Sequence, residues 1–113
     1  MKIEIEVLQA YLQDRYGGWG KEQGLFMKLV EEVGEVAEVL NMRSGAKAAG
    51  ESDLQTELGT ELADIIHYAV AIAAINNIDL SEIMIQKDKK ASVKYRHDTN
   101  LESFIKSRES KNN

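Results

Sequence analysis

The chain has 113 residues, 43% of them hydrophobic and 29% charged, with a net charge of −5 and neither proline nor cysteine. That length suits one domain with a real core. The lack of cysteine excludes a disulfide framework and a thiolate zinc site. Without proline, and with abundant Ala, Leu, Ile, Glu and Lys, the composition favours long uninterrupted helices and an all-α fold.

Residues 3–16 predict a first helix, with Ile3, Val7, Leu8, Tyr11 and Leu12 at helical spacing. This segment alternates charged with apolar residues and has no continuous apolar run, so it does not read as a signal peptide. Gly17, Gly18 and Gly20 then interrupt the pattern around Trp19. A second helix is expected over 22–43, its apolar stripe formed by Phe26, Leu29, Val30, Val33, Val36, Ala37 and Leu40. Glu31, Glu35 and Glu38 fall on the opposite face, and Glu32 borders the two. Residues 44–50 are rich in Gly, Ala and Ser and read as a loop.

Ser52 with Gln55 offers a capping box for a third helix running to about residue 76. Glu57, Glu61, Asp64 and Tyr68 share one stripe of it, and beyond Asp64 it is apolar nearly all round. A helix without a wet face is covered on several sides, which in so small a chain predicts a partner subunit. Its continuous apolar run, Ala69 to Ile75, is short for a bilayer span, so a soluble, cytoplasmic domain without membrane contact is expected. Asp79 with Glu82 opens a fourth helix over about 80–96, leaving 98–113 as a polar tail that either frays or packs on a neighbouring chain. The boundaries expected are one helical domain over 1–97 and the tail beyond it.

Charge is divided along the chain. Residues 31–64 carry nine acids and two bases, whereas residues 87–108 carry seven bases and three acids. Glu35, Glu61 and Asp64 have no Lys or Arg three or four residues away. Like charges one helical turn apart cost about 0.2–0.5 kcal/mol per pair, so acids stacked this way call for a cation from outside the chain. Carboxylate pairs at i,i+3 on two antiparallel helices would converge on one position and suit Mg²⁺, with Mn²⁺ as a substitute. The basic segment would then face phosphates. Ordinary solvated helix faces of opposite sign are the plainer reading of the same pattern.

The sequence Glu31-Glu32-x-x-Glu35, then 25 residues, then Glu61-x-x-Asp64 resembles the signature of the MazG-like all-α nucleoside triphosphate pyrophosphohydrolases. The flanks LVEEVGEVAEVLN, ELADIIHYAVAIA and IDLSEI are similar too, and the resemblance covers roughly residues 8–96. It implies an antiparallel four-helix-bundle-like domain, completed as a homodimer or homotetramer. It also implies Mg²⁺-dependent cleavage of a nucleoside triphosphate to the monophosphate and pyrophosphate, with no nucleic-acid polymer as partner.

Carried over by position, Glu32, Glu35, Glu61 and Asp64 match metal ligands. Glu31 matches a leading acid that is either a second-metal ligand or a base, a proton-accepting role open to Glu35 as well. Tyr68 matches a position near sugar or phosphate. Lys87, Lys94, Tyr95 and Arg96 fit the phosphate side, although the family's Asn position reads Ala91, with Ser92 beside it. Tyr16 and Trp19 are candidates for stacking on a base. His67 reads as a polar-edge histidine. The alternatives are a phosphoribosyl-ATP pyrophosphohydrolase-like enzyme, a non-catalytic metal-binding interaction subunit, or a plain helical dimerisation module.

Overall fold

The computed structural model describes residues 1–18, 22–45 and 53–112. Among them there are five helices and no strand: α1 (Ile5–Tyr16), α2 (Glu22–Arg43), α3 (Leu54–Ile75), α4 (Leu80–Lys94) and α5 (Leu101–Lys111). The all-α expectation holds. The chain divides into two compact units, Met1–Ile78 and Asp79–Asn113, a division that composition does not mark.

In the first unit α3 packs against both α1 and α2. Asn76 Nδ2, just past the end of α3, donates to Glu22 Oε1 at the start of α2 at 2.8 Å, so these two helices run antiparallel. Gln9 Nε2 donates to Ile78 O at 2.5 Å, while Tyr16 reaches His67, so α1 is antiparallel to α3 as well. The core is made of Leu12, Leu25, Val39, Val70, Ala71, Ala73 and Ala74. The alanines of α3 explain its central place, since small side chains let helices approach closely on more than one side. By length and composition alone α3, with a mean hydropathy of 1.5, could cross a membrane. The continuous run Ala69–Ile75 understated this. The packing on α1 and α2, with Glu61 and Asp64 at its middle, makes it the central helix of this unit.

Helix ends follow local chemistry. Ser52 lies outside the described residues, and the N-cap of α3 is Asp53, whose carboxylate accepts from the Thr56 N–H at 3.1 Å and from the Thr56 hydroxyl at 2.6 Å. The expected Ser52–Gln55 box is therefore displaced by one residue, because an ionised carboxylate is the stronger acceptor. Asp79 caps α4 as expected, accepting from the Glu82 N–H at 3.1 Å. The Glu82 carboxylate turns to Gln86 instead of closing the box. Asn77 ends α3 in the left-handed region, at φ 55°. There the Ile78 N–H reaches the Ala73 carbonyl at 2.9 Å, a double-bonded helix stop that Asn tolerates.

The second unit is a pair of helices. The segment read as a polar tail contains α5, opened by a complete capping box between Asn100 and Ser103. Asp88 accepts from the Leu101 N–H at 2.6 Å, and Lys89 pairs with Glu102 at 2.6 Å, so polar contacts attach the start of α5 to α4. No residue of α5 is buried.

Candidate active site

Three acids from two helices meet at the α2–α3 contact. Glu32, Glu61 and Asp64 each present a carboxylate oxygen within 4.8 Å of the others, and all three are half-exposed. Helical repeat places Glu61 and Asp64 one turn apart on α3, and the antiparallel approach of α2 brings Glu32 between them. Glu35 is exposed and falls outside this group. The reason is directional. Moving from Glu32 to Glu35 advances about 4.5 Å along α2, which in an antiparallel pair leads away from Asp64. Glu35 remains near enough for its charge to act on Glu61.

The electrostatic cost expected from the sequence is visible at Glu61. Its carboxyl is pushed up from 4.5 to about 7, first by a hydrogen bond to Glu32 and then by partial desolvation. The charges of Glu32, Asp64 and Glu35 add to the shift. Glu61 thus holds its proton more tightly than an ordinary glutamate, because the Glu32 carboxylate accepts from it and like charges surround it. One base does lie at turn spacing from the set, because Lys28 is four residues before Glu32. Its ammonium pairs with Glu31 at 3.3 Å, on the exposed side of α2. Among the described residues no ion pair involves Glu32, Glu61 or Asp64. Three converging hard-oxygen donors without a counter-cation fit a divalent ion of the Mg²⁺ or Mn²⁺ type.

One turn beyond Asp64 stands an aromatic group. The Tyr16 hydroxyl and His67 Nε2 share a 2.9 Å hydrogen bond. The His67 ring meets Tyr16 edge-on with centroids 5.7 Å apart and meets Tyr68 edge-on at 5.0 Å. The Arg15 guanidinium lies over the Tyr16 ring at 5.6 Å. Tyr16, His67 and Tyr68 are all half-exposed. Tyr16 and Tyr68 are legible in the sequence as candidates, whereas His67 reads there as a polar-edge residue. Its signal in the sequence, a histidine three residues after Asp64, has no meaning until α1 delivers a hydroxyl to it. Trp19 lies outside the described residues.

The basic candidates lie in the second unit. Lys87, Lys94, Tyr95 and Arg96 are exposed. Lys94 Nζ lies 5.3 Å from the centre of the Tyr95 ring, which stacks on His97. Arg96 takes the left-handed position that ends α4, at φ 56°, and the His97 N–H closes on the Ser92 carbonyl at 2.9 Å. Ser92, beside Ala91 at the expected Asn position, is only 8% exposed. It is therefore a poor replacement for an outward-facing amide donor.

The fold and the site together define an all-α protein with an acidic cluster formed between antiparallel helices. The family model of the MazG nucleotide pyrophosphohydrolase domain matches residues 21–98, and the chain belongs to that family. The crystal structure of iMazG from Vibrio DAT 722 is similar, with a TM-score of 0.63 and 28% identity, covering 82% of this chain and 98% of that one. Comparison with curated proteins gives no match.

Proposed function

We propose that the protein is a Mg²⁺-dependent nucleoside triphosphate pyrophosphohydrolase of the cytoplasm, releasing a nucleoside monophosphate and pyrophosphate. The observation that carries this reading is the meeting of Glu32, Glu61 and Asp64 within 4.8 Å in a chain of this family. These three residues would hold the cation, with Glu35 one turn along α2. A divalent ion bound there supplies charge neutralisation for the triphosphate and acidifies water at the site.

In the reaction the water oxygen bonds to the α-phosphorus, the bridge to the β-phosphate breaks, and pyrophosphate leaves with the bond pair. A carboxylate must take the proton from water. Glu35 suits that role better than Glu31, because Glu31 is engaged by Lys28 at 3.3 Å. Tyr68 and Tyr16 supply aromatic surface next to the acids for the nucleoside. Lys87, Lys94, Tyr95 and Arg96 are assigned to the phosphates, where positive charge favours the departing pyrophosphate. The working form is a homo-oligomer. Phe26, Val30, Val33 and Leu40 on α2, with Leu62 and Ile66 on α3, are 44–56% exposed and form apolar stripes that a second copy would cover.

The test is incubation with ribo- and deoxyribonucleoside triphosphates and Mg²⁺, with phosphoribosyl-ATP as a further substrate. Monophosphate and pyrophosphate are the expected products; a diphosphate with free phosphate would overturn the reading. Glu35→Gln is expected to abolish turnover while leaving the helical circular dichroism spectrum unchanged. Glu31→Gln is expected to retain activity within about tenfold, short of the roughly 10²–10⁴-fold that loss of a general base costs.

A further inference from the structure

We propose that His67 is a positioning residue: through Nε2 it fixes the Tyr16 hydroxyl, and so orients the Tyr16 ring as a wall of the nucleotide site beside Asp64. This rests on the nucleotide-hydrolase reading above and adds to it a residue that touches neither metal nor phosphate.

The geometry is specific. His67 is three residues beyond Asp64 and six beyond Glu61, so its ring leaves α3 about 60° around the helix from Asp64. It is thus close to the acidic stripe without being on it. There it is held on two sides, by the 2.9 Å bond to Tyr16 and by the edge contact with Tyr68 at 5.0 Å. Tyr16 is the last residue of α1, and Gly17 and Gly18 follow, the latter at φ 85°. Arg15 stands over the face of Tyr16 and His67 Nε2 meets its hydroxyl.

The Tyr16–His67 hydrogen bond links α1 to the part of α3 that carries the acids. A ring oriented before the nucleotide arrives does not have to be ordered on binding. That saves rotamer entropy otherwise charged against affinity. His67 therefore acts on nucleotide binding, while Asp64 and Glu61 act on the cation.

Four variants test this: Tyr16→Phe, His67→Ala, His67→Gln and the double variant Tyr16→Phe/His67→Ala. For each, four quantities are measured: Tm, Mn²⁺ affinity, KM and kcat for pyrophosphate release, and the affinity of an α,β-imido nucleoside triphosphate that cannot be cut. Loss of one part-buried hydrogen bond corresponds to about three- to tenfold in affinity. Tyr16→Phe and His67→Ala should each raise KM and weaken analogue binding by that factor. The double variant should be no worse than either single one, and kcat and Mn²⁺ affinity should stay within twofold of wild type.

His67→Gln, which keeps a polar end for Tyr16, should recover most of the binding. A fall in Tm with analogue affinity unchanged, or additive losses in the double variant, would show a merely structural contact and overturn the proposal. If the wild type binds the analogue and releases no pyrophosphate, the hydrolase reading falls while the coupling between Tyr16 and His67 still decides the proposal. A wild type that binds no analogue overturns both.

Discussion

At the scale of single residues, Glu61 concentrates the physics of this protein. Its folded-state carboxyl is raised from 4.5 to about 7, so the metal-free fold holds a proton there that the unfolded chain has already released. The sign follows from linkage. Between pH 4.5 and 7 the native state binds more protons than the unfolded one, so stability falls as pH rises through that window. In EDTA, Tm is therefore expected to decline from pH 5 to pH 8, and Glu61→Gln should flatten the decline and melt above wild type at pH 8. Adding Mn²⁺ should reverse that order, because the wild type gains a ligand and the variant has lost one. Mn²⁺ affinity should rise with pH up to about 7, since proton and cation compete for the same oxygens. Calorimetric melts across pH, with and without metal, check all three. Lys28 shows why spacing alone is an incomplete guide: it lies within a turn of both Glu31 and Glu32, and only the structure shows that it pairs with Glu31.

At the scale of helices, caps and neighbours decide what periodicity leaves open. α2 was legible to the residue, from its stripe and the glycines before it. α4 also started where Asp79 predicted, although it stops at Lys94 because Arg96 turns into the left-handed region. α5 was not legible as an ordered helix, since its sequence has only Leu101, Phe104 and Ile105 as apolar anchors and buries none of its residues. Its order rests on Asn100, Ser103, Asp88 and the Lys89–Glu102–Lys106 ion pairs. An eleven-residue helix is marginal without such support. Asn100→Ala should remove about 1 kcal/mol of cap energy. Hydrogen exchange is expected to show lost protection over residues 101–111, with α1 to α3 unchanged. Equal loss in α3 would show that the Asn100 cap does not act on α5 alone.

At the scale of the whole molecule, the outward apolar residues of α2 and α3 are the largest unexplained feature of a lone chain. Phe26, Val30, Val33 and Leu40 recur at helical spacing, each about half exposed, while the inner face of the same helix buries Leu25 and Val39. A helix apolar on two faces has two packing partners. Ile66→Glu and Leu40→Glu are expected to shift the protein from a dimer or larger assembly toward monomer in sedimentation velocity. A wild type that sediments as a monomer at micromolar concentration would remove the oligomer from the proposal. The sequence by itself determined the all-α class, α2 and α4, the family, and the two acidic clusters, because periodicity, capping residues and charge spacing are local properties. Only the tertiary structure decided which acids meet. The antiparallel run of α2 against α3 places Glu32 beside both Glu61 and Asp64 and carries Glu35 away from Asp64, a consequence of helix direction that no spacing along one strand of sequence contains. It also decided that Tyr16 and His67, fifty-one residues apart, form one hydrogen bond. Long-range pairs of that kind arise from how helices pack, and packing is fixed by the whole set of buried side chains together.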